Sequence, residues 1–163
     1  MTRDPISTDI ADGIATITMD APPLNALTPD MVRALLGALE DAGRDDRVGA
    51  VLLSSAVARV FCAGLDLKLL LTLSAAEVRA MLTDLYLNLY DVQSRLGKPS
   101  IAVVGGAARG GGVTLAIQCD MIVAADGATF GYPEINLGLP PAIHFAHLPR
   151  MIGRNRAFEL LFS

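Results

Sequence analysis

Twice in this chain of 163 residues a run of strand-forming residues gives way to small residues just where a helix is about to begin. The first place is Phe61-Cys62-Ala63-Gly64-Leu65-Asp66-Leu67-Lys68, after the apolar run Val48 to Ser54. The second is Gly105-Gly106-Ala107-Ala108-Arg109-Gly110-Gly111-Gly112, after Ser100 to Val104. Glycine at a helix start is costly unless backbone must come close to a ligand. A helix start also leaves backbone N–H groups without intrahelical partners, aimed at an anion or a polarised oxygen. Two such turns on neighbouring strands can converge on one atom, which is the geometry of an oxyanion hole. Each turn taken singly also reads as a plain glycine loop. The second has a sharper rival, because strand, Gly105-x-Ala107-x-x-Gly110, helix, strand and then Asp126 matches a dinucleotide-binding pattern with its ribose-binding acid. Against that rival stand the short helix available, the mid-chain position, and Gly111 and Gly112, which weaken a helix start for no gain.

The rest of the chain alternates strands with helices. Ile6 to Ile10 and Ile14 to Met19 form a hairpin joined at Asp12-Gly13, a dipeptide suited to the positive φ angles of a tight turn. Thr28-Pro29-Asp30 supplies an N-cap, a first-turn proline and an acid at the positive helix end, predicting a helix to about Asp41. Val48 to Ser54 and Ser100 to Val104 read as strands buried on both faces. Ser74-Ala75-Ala76-Glu77 is a capping box opening a helix through Val78, Met81, Leu82, Leu85 and Leu89 to about Leu96, stopped by Gly97-Lys98-Pro99. A short helix to Cys119, a strand at Met121 to Ala125 and a helix from Arg154 to Phe162 follow. The pattern is that of an α/β protein. No linker divides it and no repeat shows at the residue level, so one domain spanning 1–163 is expected. The apolar end at Leu160-Leu161-Phe162-Ser163, with no polar tail, reads as an interrupted chain.

Composition narrows the function classes. Thirteen Lys and Arg against seventeen Asp and Glu give a net charge of -4 with no basic stripe, which argues against nucleic acid and a polybasic membrane patch. A hydrophobic fraction of 52% beside only 18% charged residues implies a rich core or apolar surface facing a partner, so oligomerisation is expected. The apolar runs are too short or too glycine-rich to cross a bilayer as helices, and an acid and a proline stand where a signal peptide needs an apolar core. A cytoplasmic protein is expected. Cys62 and Cys119 lack metal-type spacing and read as reduced packing residues.

At this point the residues resemble a known family, the crotonase or enoyl-CoA hydratase/isomerase superfamily. Lys98-Pro99-Ser100-Ile101-Ala102-Val103-Val104-Gly105 running into Ala108-Arg109-Gly110-Gly111-Gly112, then Leu115-Ala116 and Cys119-Asp120, resembles its central signature. Phe130-Gly131-Tyr132-Pro133-Glu134-Ile135-Asn136-Leu137-Gly138 resembles a second motif, and Leu24-Asn25-Ala26-Leu27 the N-terminal one. The resemblance implies a crotonase-like spiral of ββα units, truncated before the C-terminal trimerisation helices, and a homotrimer or hexamer when full-length. It implies that the N–H groups of Leu65 and Gly111 bind the thioester oxygen of an acyl-coenzyme A and stabilise an enolate. Ala63 would meet the adenine through its backbone, and Gly64, Asp66, Leu67, Lys68 and Gly110 would border the substrate. Glu134 would be the acid/base carboxylate, in a setting apolar enough to raise its pKa; read without the resemblance, it is equally a surface or capping glutamate after Pro133. Coenzyme A is part of the substrate, so no separate cofactor and no metal are expected.

Three departures from the family pattern shape the expected chemistry. Two-glutamate hydratases place a second carboxylate where this chain has Thr114, whose hydroxyl holds water but is no base near neutral pH. Single-carboxylate double-bond isomerisation therefore fits better than hydration, with hydration or hydrolysis through a Thr114-bound water as the alternative. Secondly, Gly138-Leu139-Pro140-Pro141-Ala142-Ile143-His144-Phe145-Ala146-His147 replaces a glycine-rich turn, bringing His144 and His147 near the acyl pocket. Either is an acid or hydrogen-bond donor to substrate, or a packing or surface residue. Thirdly, Pro22 and Pro23 replace a basic residue, leaving Lys68 or groups beyond Ser163 to meet the coenzyme A phosphates. A different class of reading is a non-catalytic acyl-CoA-binding protein.

Overall fold

The computed structural model describes residues 4–138 and 142–162, apart from the side chains of residues 137, 142–145 and 147. The chain opens with the expected hairpin, β1 (Ile6–Ala11) and β2 (Ile14–Met19), paired antiparallel. Asp12 and Gly13 both take positive φ, +50° and +79°, as a tight two-residue turn requires. Helix α1 (Pro29–Arg44) follows, with the Thr28 side chain accepting from Met31 N–H. Met31, Val32, Leu35 and Leu39 face inward from it at helical spacing, against Ala15, Ile17 and Met19 of β2 in one core.

From there the chain repeats one path three times: a strand in a large sheet, a short strand in a small sheet, then helix. The first pass is β3 (Ala50–Ser55), β4 (Val60–Cys62), α2 (Leu67–Leu70) and α3 (Ala75–Thr83), which runs through a π turn at Asp84–Asn88 into α4 (Leu89–Ser94). The second is β5 (Ser100–Val104), β6 (Ala107–Arg109) and α5 (Gly111–Gln118). The third is β7 (Met121–Ala124), β8 (Thr129–Gly131), a 3-10 turn at Pro133–Leu137 and α6 (Ala142–Ile152), with α7 (Arg154–Phe162) last. The large sheet has the order β1-β2-β3-β5-β7, parallel from β2 onward; the small one is β4-β6-β8, all parallel. This is the spiral of ββα units that the resemblance implies.

Two sequence expectations need correction. Strands β3 and β5 bury one face rather than two: Val51, Leu53, Ala102 and Val104 are inside, while Val103 is exposed. The other face of these strands is only partly covered, with Leu52 and Ile101 half-buried. Nor is Gly105 to Gly112 a simple turn, because it contains β6. That strand also removes the dinucleotide reading: residues 107–109 are extended and paired with β4, so no tight turn leads from Gly105 into a helix, and Asp126 is exposed in the loop after β7. None of the described helices is long and apolar enough to cross a membrane.

Several motif residues are structural. Asn25 is fully buried; its Nδ2 donates to Met19 O, Ser55 Oγ and Phe61 O while its Oδ1 accepts from Ala21 N–H, tying the ends of β2 and β3 to β4. Asp120 Oδ2 accepts from the N–H and hydroxyl of Ser100, clamping β7 to β5. Lys98 Nζ donates to Ala42 O and Asp45 O at the end of α1. Both cysteines are buried free thiols, and burial pushes Cys62 up to about 12 and Cys119 to about 11, which disfavours the thiolate.

Candidate active site

The two glycine-bearing turns meet. Leu27 forms a parallel bridge with Leu65, its N–H donating to Gly64 O at 2.7 Å and its oxygen accepting from Asp66 N–H at 3.0 Å. A parallel bridge uses the groups flanking Leu65 and turns the N–H of Leu65 itself toward the opposite edge. The neighbouring Gly64 faces the β6–α5 junction. Gly64, at φ +86°, packs so tightly there that a Cβ would lie 2.7 Å from Arg109 O and 3.1 Å from Gly111 N. Gly111 is the first residue of α5, so its N–H has no intrahelical acceptor. Gly112 fixes the seat of α5, since a Cβ there would fall 2.2 Å from Cys62 O.

Gly110, the N-cap of α5, has φ +49° and ψ -115°, a conformation that side chains disfavour. A Cβ on it would lie 2.2 Å from Glu134 Oε1. The Glu134 carboxylate therefore rests against the Gly110 backbone, one peptide from the Gly111 N–H. It is carried there by the 3-10 turn that follows β8, while Gly110 N–H donates to Gly131 O and ties the two segments together. Glu134 Oε2 is buried with no hydrogen-bond partner among the described residues. Burial raises the pKa of Glu134, and its own backbone N–H offsets this in part.

Thr114 is buried one turn into α5, its Oγ1 3.5 Å from Gly110 O. Its hydroxyl hydrogen-bonds the phenol of Tyr86, whose pKa is raised by burial and then by the negative charge of Glu134. Tyr132 is likewise pushed up, by burial first and then by Glu134 and Tyr86. Tyr86 and Thr114 form part of the wall of a cavity of about 470 Å³ that continues between Tyr90, Ile117 and Met151, with Gln118 and Arg150 adding polar groups.

The remaining expected substrate contacts fall out unequally. Ala63 spends its N–H on Leu24 O at 3.0 Å, leaving only its carbonyl for a ligand. The Asp66 carboxylate caps α2 by accepting from Leu69 N–H at 3.0 Å, so it holds this segment in place. Leu67 and Lys68 are exposed on the first turn of α2. The side chains of His144 and His147, and residues 139–141 of the segment that carries them, lie outside the described residues; the backbone of both histidines is in α6. Among the described residues no three His, Cys, Asp or Glu side chains are grouped as a metal site. Tyr86 and Tyr132 escaped the sequence reading. Tyr132 sits inside the Phe130 to Gly138 motif and was open to notice; Tyr86 is not one of the apolar positions Met81, Leu82, Leu85 and Leu89, and nothing local marks it.

Residues 9–163 match the family model described as enoyl-CoA hydratase/isomerase. Among curated relatives, a probable mitochondrial enoyl-CoA hydratase 2 of Arabidopsis thaliana is 36% identical over 153 residues, covering 93% of this chain and 50% of that protein. The probable enoyl-CoA hydratase EchA17 of Mycobacterium tuberculosis is 38% identical over 152 residues, covering 93% and 58%. Among solved structures, an enoyl-CoA hydratase from Mycobacterium smegmatis superposes with a TM-score of 0.90 at 32% identity, over 99% of this chain and 63% of that one. DspI from Pseudomonas aeruginosa gives 0.89 at 27%, over 98% and 65%. The chain thus spans between half and two thirds of the length of these proteins.

Proposed function

Given that the chain belongs to the enoyl-CoA hydratase/isomerase family, we propose that it works on acyl-CoA thioesters through an enolate, moving a double bond with Glu134 as its single proton carrier. The observation that carries this reading is the contact of the Glu134 carboxylate with Gly110, one peptide from the Gly111 N–H. A thioester oxygen accepted by the amides of Leu65 and Gly111 presents its α-carbon to that carboxylate. Glu134 takes a proton from the second carbon of a 3-enoyl thioester, and the C–H electron pair passes toward the thioester oxygen to give a dienolate. The proton returns at the fourth carbon, leaving the double bond between the second and third. Loss of one oxyanion donor costs roughly 2.7–4 kcal/mol of barrier in comparable sites, which is the scale of what the two amides supply.

The segment Leu65 to Lys68 would border the coenzyme A, with the Lys68 ammonium in solvent to meet its phosphates. The exposed apolar residues of β7 fit a homotrimer or hexamer. A second reading, hydration of a 2-enoyl thioester, is favoured by the relatives being named enoyl-CoA hydratases and by a Thr114 hydroxyl able to hold water near Glu134. Assaying the protein with 3-enoyl-CoA and 2-enoyl-CoA, alongside Glu134→Gln, separates the two. Isomerisation should fall by roughly 10²–10⁴-fold in the variant; unchanged turnover removes Glu134 from the mechanism.

A further inference from the structure

Tyr86 belongs to no motif, yet its phenol reaches the middle of the site. It is the central residue of the π turn Asp84–Asn88, and single π turns within α-helices re-aim the side chains they carry, often at functional sites. The ring lines the cavity together with Thr114, the phenol hydrogen-bonds the Thr114 hydroxyl, and Glu134 is near enough for its charge to oppose ionisation of the phenol. Both hydroxyls stay neutral and act as donor and acceptor, so together they suit a neutral oxygen.

The position of that oxygen follows from the helix. Thr114 lies three residues beyond Gly111 on α5, about 4.5 Å along its axis. That is about the span from a thioester oxygen to an oxygen on the third carbon of the same acyl chain. Ile117 and Gln118, one turn further on, line the cavity where the rest of the chain would run.

Resting on the reading that Glu134 and the two amides act on an acyl thioester, we propose that Tyr86 contacts the substrate. Its hydroxyl, with that of Thr114, recognises an oxygen at the third acyl carbon, as a water about to add or as the hydroxyl of a 3-hydroxyacyl thioester. In the addition, the water oxygen bonds the third carbon while the π pair of the 2,3 double bond shifts toward the thioester oxygen. Water yields a proton to Glu134, which delivers it to the second carbon. Tyr86 thereby sets how much of the flux through the shared enolate chemistry goes to hydration.

The test is a calorimetric titration with 3-hydroxybutyryl-CoA and butyryl-CoA. The protein should bind the hydroxylated thioester roughly tenfold more tightly, the worth of about one hydrogen bond. In Tyr86→Phe, which keeps the ring, and in Thr114→Val, that preference should fall to about twofold or less. Equal binding of the two by the unaltered protein, or an undiminished preference in Tyr86→Phe, overturns the role of Tyr86 and leaves the acyl-CoA reading standing; binding of neither overturns both. A kinetic arm separates contact from packing. In Tyr86→Phe, hydration of 2-enoyl-CoA should fall at least roughly tenfold further than exchange of the α-proton of butyryl-CoA with D2O, which needs only Glu134 and the amides. Equal loss of both would make Tyr86 a wall of the pocket and overturn the proposal.

Discussion

At the scale of single residues the site turns on what Glu134 pays in hydration and what Gly110 leaves empty. Burial raises the folded-state pKa of Glu134, so the native chain binds this proton more tightly than the unfolded one. The resulting stability is fully present below the ordinary carboxylate pKa and is lost as pH rises through the folded value. At neutral pH the ionised group is therefore a burden, and Glu134→Gln should raise Tm by roughly 2 °C or more there, with the gain vanishing below about pH 4. Thermal melts across that range check it, and a gain that persists at acid pH contradicts the account. On the proposed mechanism the same shift places the acid limb of the activity profile above the ordinary value of about 4.3, because only the carboxylate abstracts a proton. Gly110→Ala tests the neighbour. Its Cβ would meet Glu134 Oε1 at 2.2 Å in a conformation that alanine disfavours, so the proposed isomerisation should drop by about 10²-fold or more, at a stability cost of about 1–3 kcal/mol.

At the scale of elements, what the sequence showed was whatever local chemistry writes. The Asp12-Gly13 turn, the Thr28 cap and the Ser74–Glu77 capping box are found where they were expected, since each is decided by a few adjacent residues. The approach of the two glycine turns was legible too, because a Cβ on Gly64 would collide with Arg109 O and one on Gly112 with Cys62 O. Strands β4, β6 and β8 were not: each has three residues, too few for a periodic pattern, and each exists only through pairing at a distance, β4 and β8 on either side of β6. The π turn was hidden for a related reason, since one extra residue per turn leaves the apolar spacing of Met81, Leu85 and Leu89 almost unchanged. Asn25 shows how a motif residue serves the small sheet from outside it. Asn25→Ala should cost about 3 kcal/mol or more, because it strands buried partners on Met19, Phe61 and Ala21 and places alanine at φ +48°. Denaturant unfolding measures this, and a loss below about 1 kcal/mol would mean that the three strands hold together without the asparagine.

At the scale of the whole molecule the helices cover one side of the large sheet, and β7 closes it as an edge strand exposed along its full length. Met121 and Val123 are 58% and 55% exposed, Ile122 is exposed on the alternate face, and Val103 of β5 continues the apolar strip. An edge strand that keeps free backbone groups and carries no charge is a template for pairing, and apolar area of this kind gains about 25 cal/mol per Å² when covered. Phe158 on α7 adds to the exposed apolar surface. The chain should therefore associate with itself as its concentration rises, a behaviour that light scattering reads as increasing mean mass. Val123→Lys places a charge on the strip at a side chain that has little packing to lose. It should suppress the association while shifting Tm by less than about 2 °C. A mass independent of concentration in the unaltered chain would show that the strip does not drive association, and a large Tm loss in Val123→Lys would show that this strand is held more tightly than its exposure implies.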